Sequence, residues 1–347
     1  MGKTPVPEAD TSTLITHLRS VLPKDGTREV LITSVIPTLL QSITGVAEAL
    51  RASCHVAAAG TANTFGDDQL NVDVTADNVI REALTRCPSI VTASSEEDPV
   101  ERPVQHSQPS QAGDEQYTLA FDPLDGSSII SANWTVGTIM SLWDGPTALN
   151  QDPATKQVGA ILGVLGPRTT AIIALRIQSS DQLPTCFEVA LDPSNSNWHV
   201  TRPALTLTPR ARNFAPANLR SAAEPGNAAY MKLIADHYIA SRRLTLRYAG
   251  GLVPDITHAL VAGQGVYLNP VTANNPAKLR RLYELCPIAL VIECAGGAAL
   301  DPVSEERVLA REMRDCGEKG GLVCGSAEEV EEAVARLAGG ARATEGS

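Results

Sequence analysis

Hydrophobic positions in the first ninety residues recur at helical spacing. Residues 11–22, 28–51 and 76–84 each repeat apolar side chains every three or four positions, which predicts three amphipathic helices. Pro37 is expected to kink the second helix because it removes a backbone donor. The short apolar run at residues 89–93 follows a proline and predicts a strand.

The middle of the chain changes to the period of two that is typical of strands. Tyr117, Leu119 and Phe121 alternate with other residue types, and Gly166-Pro167-Arg168 separates two apolar runs as a hairpin turn does. Residues 99–115 are polar and contain prolines, which predicts a surface loop. The predicted strands in this part are 117–121, 135–143, 158–165, 169–177, 185–191 and 198–201.

Helices and strands alternate in the second half. Helices are predicted at residues 228–242, 254–261, 277–285 and 327–337, and strands at 244–248 and 288–293. This succession predicts a layered α/β or α+β fold, and residues 300–320 are left unassigned. A segment with prolines and threonines follows residue 201, so we expect an N-terminal domain (1–201), a C-terminal domain (202–338) and a disordered tail (339–347).

Composition and charge exclude several classes of protein. The chain has 347 residues, 43% hydrophobic and 19% charged, which is ordinary for a globular protein and long enough for two domains. The net charge is -11, and Lys and Arg are dispersed along the chain. Neither a nucleic-acid groove nor an anionic membrane surface is therefore expected as a partner.

Further patterns indicate a cytoplasmic protein. The apolar stretch at 30–50 contains Pro37, Glu48 and several hydroxyl and amide side chains, which argues against a membrane span. The first ten residues lack a charged and then apolar signal pattern. Seven cysteines stand at wide, irregular spacings, which favours reduced and mostly buried thiols over a disulfide framework or a zinc site.

One segment combines residue types suited to a divalent metal and to phosphate. Asp122 and Asp125 are three residues apart at the end of a predicted strand, and Pro123 stiffens the turn between them. Gly126 lets the backbone approach a ligand, and the amides around Ser127-Ser128 can point at an anion. The alternative is a solvated turn, because Asp, Pro, Gly and Ser are all common turn formers.

Acidic residues elsewhere could complete a metal site. Asp67 and Asp73 flank a turn, Glu96-Glu97 follows a strand, and Glu284 lies near the end of a predicted helix. Two carboxylates about 4 Å apart repel by roughly 4 kcal/mol at an effective dielectric near 20, so such a cluster requires cations. Oxygen ligands alone favour Mg²⁺ or Mn²⁺ over zinc.

Each of these acidic segments also has a structural interpretation. Asp67-Asp68 could be a turn, and Glu96-Glu97-Asp98 a solvated loop tip. Glu284 could pair with Arg280 or Arg281 on its own helix. The functional interpretation depends on all of the segments meeting at one place.

Six motifs together resemble the fructose-1,6-bisphosphatase and sedoheptulose-1,7-bisphosphatase family. They run in order through residues 43–297, and the Asp-Pro-Leu-Asp-Gly-Ser core alone is also found in inositol monophosphatases. The motifs are residues 66–73, 95–97, 121–128, 216–220, 247–255 and 278–284. The resemblance implies a five-layered αβαβα sandwich whose two halves meet at the active site, and dimers or tetramers are typical of the family.

The resemblance also implies a role for each matching residue. Two or three Mg²⁺ ions, or Mn²⁺, would be held by Asp67, Glu96, Asp122, Asp125, Glu284 and the carbonyl of Leu124. Asp73 and Glu97 would activate water, and Gly126, Ser127 and Ser128 would bind the phosphate that is cleaved, with the serines as donors rather than nucleophiles. The second, far phosphate would be bound by Asn218, Arg247, Tyr248 and Lys278, with Arg247 reaching into a neighbouring subunit's site.

Smaller differences bear on substrate and regulation. Asn269 stands where fructose enzymes have a tyrosine and, with residues 216–220 and Gly250-Gly251, resembles the sedoheptulose branch, so hydrolysis of the C1 phosphate of sedoheptulose 1,7-bisphosphate is expected. Fructose-1,6-bisphosphatase or dual activity stays open, as do an inositol-phosphate phosphatase and a non-catalytic sugar-phosphate sensor. Cys54 matches one cysteine of the regulatory pair in plastid enzymes, but Thr61 stands at the position of the other, so no thioredoxin switch of that kind is expected. Residues 27–34 lack the nucleotide-binding pattern of animal fructose enzymes. The pathway, carbon fixation or pentose phosphate, also stays open.

Overall fold

The chain folds into alternating layers of helices and sheets. The computed structural model describes residues 14–23, 25–62, 68–107, 115–177, 183–194, 196–224 and 227–345, and only the backbone of 61–62, 68–69 and 339–345. The α-helices there are α1 (Leu14–Val21), α2 (Ile36–Ala52), α3 (Asn71–Leu84), α4 (Ser127–Ile130), α5 (Pro153–Lys156), α6 (Ala228–Lys232), α7 (Leu252–Ala262), α8 (Cys286–Cys294) and α9 (Ala327–Glu345). Segments with 3₁₀ or π-helical hydrogen bonding are Leu31–Val35, Leu219–Ala223, Leu233–Ser241, Arg281–Leu285 and Val308–Ala310.

The strands form two main sheets and two small ribbons. They are β1 (Ala58–Ala62), β2 (Asp68–Leu70), β3 (Ile90–Ser95), β4 (Arg102–Pro103), β5 (Tyr117–Asp125), β6 (Val136–Asp144), β7 (Gln157–Leu165), β8 (Thr169–Leu175), β9 (Thr185–Asp192), β10 (Asn197–Arg202), β11 (Asn213–Pro216), β12 (Thr245–Leu246), β13 (Val266–Asn269), β14 (Leu279–Arg280), β15 (Ala298–Leu300), β16 (Lys319–Gly320) and β17 (Leu322–Gly325). The larger sheet has the order β10-β9-β8-β7-β6-β5-β3-β4, and only β3 and β5 are parallel within it. The smaller sheet has the order β12-β11-β13-β17-β15, with β12, β11 and β13 parallel.

Alternation along the strands divides the core into separate clusters. Leu119 and Phe121 of β5 pack toward α1–α3, whereas Ala120 faces the opposite cluster with α7 and α8. In β13, Tyr267 belongs to that middle cluster, and its neighbours on either side pack with α6 and α9 in a third one. Helices, sheet, helices, sheet and helices therefore follow one another, which confirms the predicted five-layered αβαβα sandwich.

The middle helical layer differs from the sequence prediction. Residues 288–293, predicted as a strand, lie in α8, where seven residues from Cys286 to Ile292 are buried. A short run that is apolar on every side gives the same pattern in a buried strand and a buried helix, so periodicity cannot separate them. Residues 277–285, predicted as a helix, form β14 and a π-helical turn.

Other boundaries also moved. Helical structure begins near the predicted position, and π-helical hydrogen bonding at Leu31–Val35 changes to α-helix at Ile36, next to Pro37. Strand β13 was not predicted, and the region 300–320 contains part of β15, a 3₁₀ turn and β16. Helix α9 runs to Glu345 rather than to 337, so residues 339–345 have a helical backbone where a disordered tail was predicted. Alanine, arginine and glutamate in that segment favour a helix and offset its two glycines.

One helical stretch is long and apolar enough to cross a membrane by length and composition. It runs from Leu31 to Ala52, and 61% of its apolar window is buried inside the protein. Leu31, Leu39, Leu40 and Ile43 pack in the core against the larger sheet, which is how a core helix of a folded domain behaves. All seven cysteines are free thiols, and only Cys54 is exposed.

Candidate active site

A bulge at the end of β5 places two aspartates together. Asp122 pairs with Ile139 and Asp125 with Gly137, so three residues of β5 span two of β6. In a regular strand, residues three apart point to opposite faces, and the extra residue brings them to the same side. Thr138 Oγ1 donates to the carbonyl of Pro123 at 3.0 Å, and the backbone N–H of Leu124 donates to Asp122 Oδ1 at 2.9 Å.

Glu96 and Glu284 join these aspartates from two other segments. The backbone N–H of Glu96 extends the β3–β5 pairing by donating to the carbonyl of Phe121 at 3.0 Å, which places Glu96 beside Asp122. Burial, and then the charges of Glu96, Asp125 and Glu284, raise the pKa of Asp122 well above its ordinary value. The pKa of Glu284 is raised by burial and then by Glu96, and burial raises that of Asp125 to about 6. The four carboxylates that sequence analysis assigned to metal thus meet at one place.

Arg280 contacts the carboxylate cluster, whereas sequence analysis weighed it only as a helical partner of Glu284. Its backbone N–H donates to Glu284 Oε2 at 2.6 Å. The guanidinium forms an ion pair with Glu96 and is 4% exposed. An opposite charge favours the ionised form of a carboxyl group, so Arg280 offsets part of the negative charge of the cluster. The short β14 creates this arrangement, and no helical spacing could have predicted it.

Asp73 lies near Glu97, which directly follows Glu96 of the cluster. Asp73 is in the first turn of α3, where its Oδ2 accepts the backbone N–H of Leu70 at 2.9 Å. Burial, partly opposed by that hydrogen bond and reinforced by the charge of Glu97, raises the pKa of Asp73 to about 6. Its buried Oδ1 has no hydrogen-bond partner among the residues that the structure describes. Asp67, the remaining predicted carboxylate, lies outside the described residues.

Exposed groups follow the cluster directly. Gly126 has a φ of 93°, a left-handed conformation that L side chains rarely adopt. It turns the chain from β5 into α4, where Ser127 and Ser128 are exposed. Their hydroxyls and backbone amides are therefore accessible next to buried carboxylates, as a phosphate ester bound to a metal would require.

Four of the five residues predicted for the far-phosphate region lie at one edge of the smaller sheet, and Lys278 lies outside that sheet. β12, β11 and β13 are parallel, and Arg247 and Tyr248, Asn218, and Asn269 come at or just after their carboxyl ends. Asn218 adopts a left-handed conformation with φ of 51° and donates from Nδ2 to the carbonyl of Pro270 at 2.7 Å. Arg247 and Tyr248 are exposed, and so is Lys278, which precedes β14.

Two carboxylates bind the backbone of residues 249–253, which follow Arg247 and Tyr248 and lead back to the carboxylate cluster. Asp125 Oδ1 and Oδ2 accept the backbone N–H groups of Leu252 and Val253 at 3.2 and 2.7 Å. Asp255 Oδ1 and Oδ2 accept those of Ala249 and Gly250 at 2.6 and 3.1 Å. Burial raises the pKa of Asp255 to about 6, and the charge of Asp125 adds to this increase. Sequence analysis did not single out Asp255, although its place in the first turn of a helix after two glycines is a signal for a residue that binds backbone amides.

The donor set fits a hard divalent cation. The acidic side chains that converge offer only oxygen atoms as ligands, and burial together with neighbouring carboxylates raises the pKa values of Asp122 and Glu284, so a bound cation would favour their ionised forms. Another group of possible ligands is formed by His237, Glu329 and Glu332, whose ligand atoms lie within 4.8 Å of one another. There, however, Arg242 pairs with Glu329 while Arg210 and Arg336 pair with Glu332, so cations of the chain already neutralise the carboxylates.

A layered fold with buried carboxylates, exposed serines and a cationic edge defines a phosphatase of the metal-dependent sugar phosphatase class. Two family models match: the fructose-1-6-bisphosphatase N-terminal domain over residues 20–202 and its C-terminal domain over 207–338. The chain belongs to the fructose-1,6-bisphosphatase family, whose members are metal-dependent enzymes that hydrolyse sugar bisphosphates.

Individual relatives come from both branches of the family. The chloroplastic sedoheptulose-1,7-bisphosphatase of Chlamydomonas reinhardtii is 37% identical over 300 residues, which cover 85% of this chain and 72% of that protein. The class 1 fructose-1,6-bisphosphatase of Syntrophotalea carbinolica is 31% identical over 90% of this chain and 91% of its own. A crystal structure of a candidate sedoheptulose-1,7 bisphosphatase from Toxoplasma gondii has a TM-score of 0.81 and 32% identity, covering 94% of this chain and 99% of that one.

Proposed function

We propose that the protein is a Mg²⁺-dependent sugar bisphosphatase that hydrolyses the C1 phosphate of sedoheptulose 1,7-bisphosphate to give sedoheptulose 7-phosphate and phosphate. The observation that carries the proposal is the meeting of Glu96, Asp122, Asp125 and Glu284, from three separate segments, beside the exposed Ser127 and Ser128. The sedoheptulose substrate is supported by the relatives at 37% identity and by Asn269 in the far-phosphate region.

The metal would be held by side chains of Asp67, Glu96, Asp122, Asp125 and Glu284 with the carbonyl of Leu124. We propose two or three ions, with Mn²⁺ able to replace Mg²⁺, because the ligands are all oxygen atoms. When bound, the ions supply Lewis acidity to the phosphoryl oxygens and to the attacking water. Metal at Glu96 competes with the ion pair that Arg280 forms there.

Asp73 and Glu97 are proposed to take the proton of the attacking water. Asp73 suits this role because its pKa of about 6 lies close to neutral pH, where the group is mostly ionised yet still a useful base. Its Oδ2 is fixed by the backbone of Leu70, and Oδ1 is left to accept a proton. Gly126, Ser127 and Ser128 donate to the oxygens of the phosphate that is cleaved and form no covalent bond with it.

The far phosphate is proposed to bind at the carboxyl ends of β11, β12 and β13. Arg247 and Lys278 supply positive charge, and Asn218, Tyr248 and Asn269 supply polar contacts. We also propose a homodimer or homotetramer in which the exposed Arg247 reaches the site of a neighbouring subunit. The division into domains at residues 1–201 and 202–338, and a cytoplasmic location, are part of the same proposal.

A substrate panel tests the proposal. Purified protein with Mg²⁺ is given sedoheptulose 1,7-bisphosphate, fructose 1,6-bisphosphate and an inositol monophosphate, and phosphate release is measured. We expect phosphate to be released fastest from sedoheptulose 1,7-bisphosphate. A fructose-1,6-bisphosphatase or an enzyme with both activities is the second candidate, because class 1 fructose enzymes are 31–33% identical to the chain. Failure to release phosphate from any of the three, with the sugar phosphates still bound, would instead identify a sensor.

A further inference from the structure

We infer that Asp255 is a positioning residue that sets the separation between the two phosphate-binding ends of the site. Its carboxylate fixes the segment Ala249-Gly250-Gly251, which runs from Arg247 and Tyr248 to the start of α7. The inference rests on the proposed function, which assigns Arg247 and Tyr248 to the far phosphate and Asp125 to metal.

The connecting segment is held at both ends by buried carboxylates. Asp255, 5% exposed, accepts the N–H groups of Ala249 and Gly250, and Asp125, 9% exposed, accepts those of Leu252 and Val253. Four backbone donors within five residues are thus bound by two side chains 130 positions apart, and one of these is a proposed metal ligand. A buried amide that loses its acceptor is costly, so the segment can hardly move while both carboxylates stay in place.

Close packing keeps the same segment from sliding. A Cβ added at Gly137 of β6 would overlap Val253, and one at Gly251 would come within 3.2 Å of Ile129 in α4. Gly250 turns the chain with a φ of 92°. The segment therefore touches the strand that pairs with β5 and the helix that begins with Ser127. Its position fixes Arg247 relative to both the metal cluster and the cleaved phosphate.

A carboxylate is required at residue 255 because both of its oxygens accept backbone N–H groups. Asparagine has nearly the same shape but offers one oxygen, and its NH₂ group would face the second backbone donor. Burying a further acid near Asp125 is also unfavourable, since the two charges repel each other. A residue that served packing alone would not need this charge, which favours a role in holding Arg247 and Tyr248.

The test compares two substrates in the holoenzyme with Mg²⁺. Sedoheptulose 1,7-bisphosphate uses both ends of the site, and fructose 1-phosphate carries the phosphate to be cleaved without the far one. Asp255→Asn is expected to raise KM for the bisphosphate by about tenfold or more, since a hydrogen bond to a charged group contributes about this factor in affinity. Its kcat, and both parameters for fructose 1-phosphate, should stay within about threefold of wild type.

Two further variants keep the inference testable. Glu329→Gln removes a fully buried carboxylate that accepts the N–H of Ala211, outside the proposed site. It should change neither kcat nor KM for either substrate. Gly250→Ala strains the left-handed turn without removing the carboxylate, and should give the same selective rise in KM even if Asp255→Asn does not fold.

The outcomes separate the inference from the proposed function. Equal losses on both substrates, or no change on the bisphosphate, would overturn the positioning role while wild type still hydrolyses both compounds. Wild-type protein that releases phosphate from neither would contradict the proposed function and the inference together.

Discussion

The two ends of the proposed site hold their charges in opposite ways. At the metal end, Asp122, Asp125 and Glu284 are buried, and burial raises the pKa of all three. The charges of neighbouring carboxylates raise the pKa values of Asp122 and Glu284 further. At the far-phosphate end, Arg247, Tyr248 and Lys278 are exposed to water. Buried charges interact strongly and are fixed before substrate arrives, whereas exposed charges are screened by solvent and salt. We therefore expect the buried end to control turnover and the exposed end to control binding.

The largest expected effect follows from substitution of Asp73 near the buried end. Asp73→Asn removes the proposed base but keeps an oxygen that can accept the N–H of Leu70, so folding should be intact. The value of kcat should fall about 10²- to 10⁴-fold, the range that proton transfer by a positioned group contributes. Steady-state phosphate release measures kcat, and thermal unfolding checks that the variant is folded.

Asp77→Asn is the matched control for that substitution. Asp77 lies on the same helix and is buried to a similar degree, but its carboxylate binds Arg81. We expect kcat to change less than about tenfold. Similar losses of kcat in the two variants would mean that Asp73 maintains the structure of the helix and does not accept the proton of the attacking water.

The exposed end is probed by Arg247→Ala. Loss of a charge-assisted contact with the far phosphate should raise KM for the bisphosphate about 10- to 100-fold and leave kcat within about threefold. Added salt should weaken substrate binding more in wild type than in the variant, which retains only the charge of Lys278 at this end. Arg86→Ala, at an exposed arginine in the turn just after α3, serves as the control. Proportional losses of kcat and kcat/KM in Arg247→Ala would contradict the proposed difference between the two ends.

The smallest effect concerns stability of the metal-free protein against pH. Asp73 and Asp125 have pKa values raised to about 6 from an ordinary value of 3.8, so between these pH values the folded state binds more protons than the unfolded state. The free energy of unfolding should therefore decrease as pH rises from about 4 to about 6. Thermal unfolding with EDTA measures the slope.

Two comparisons sharpen this last prediction. Saturating Mg²⁺ should reverse or flatten the slope, because the ions favour ionised carboxylates. Asp122→Asn should raise Tm of the metal-free protein, by about 2–4 °C if the gain is about 1 kcal/mol, and should abolish the stabilisation by Mg²⁺. A metal-free protein whose stability increases over this pH range would show that the cluster is already neutralised by Arg280.

Sequence analysis predicted the residues of the buried end better than the residues and helix that hold them in place. Asp122, Asp125 and Ser127 stand in one short motif after a strand whose alternation is regular, so element and chemistry could be read together. The strands from β5 to β10 were found for the same reason, since neighbouring antiparallel strands are joined by short turns.

The parts that sequence analysis missed depend on tertiary structure. Helix α8 is surrounded on every side by other residues, which erased the polar face that identifies a helix. Arg280 reaches Glu96 across 184 positions, so that contact has no spacing that a motif could record. Asp255 binds amides of the residues just before its helix, and sequence analysis did not use the signal that its place in the first turn of α7 offers. The far-phosphate residues were assigned only through family resemblance, because their meeting depends on the parallel order of β11, β12 and β13.

At Gly137 the larger sheet and helix α7 are packed without space for a side chain. At this position the backbone of the larger sheet meets Val253 with no room for even a methyl group. A side chain at residue 137 would displace Val253 and increase the distance between the metal cluster and the far-phosphate residues. The length of sugar that fits between them therefore depends on a glycine at this position.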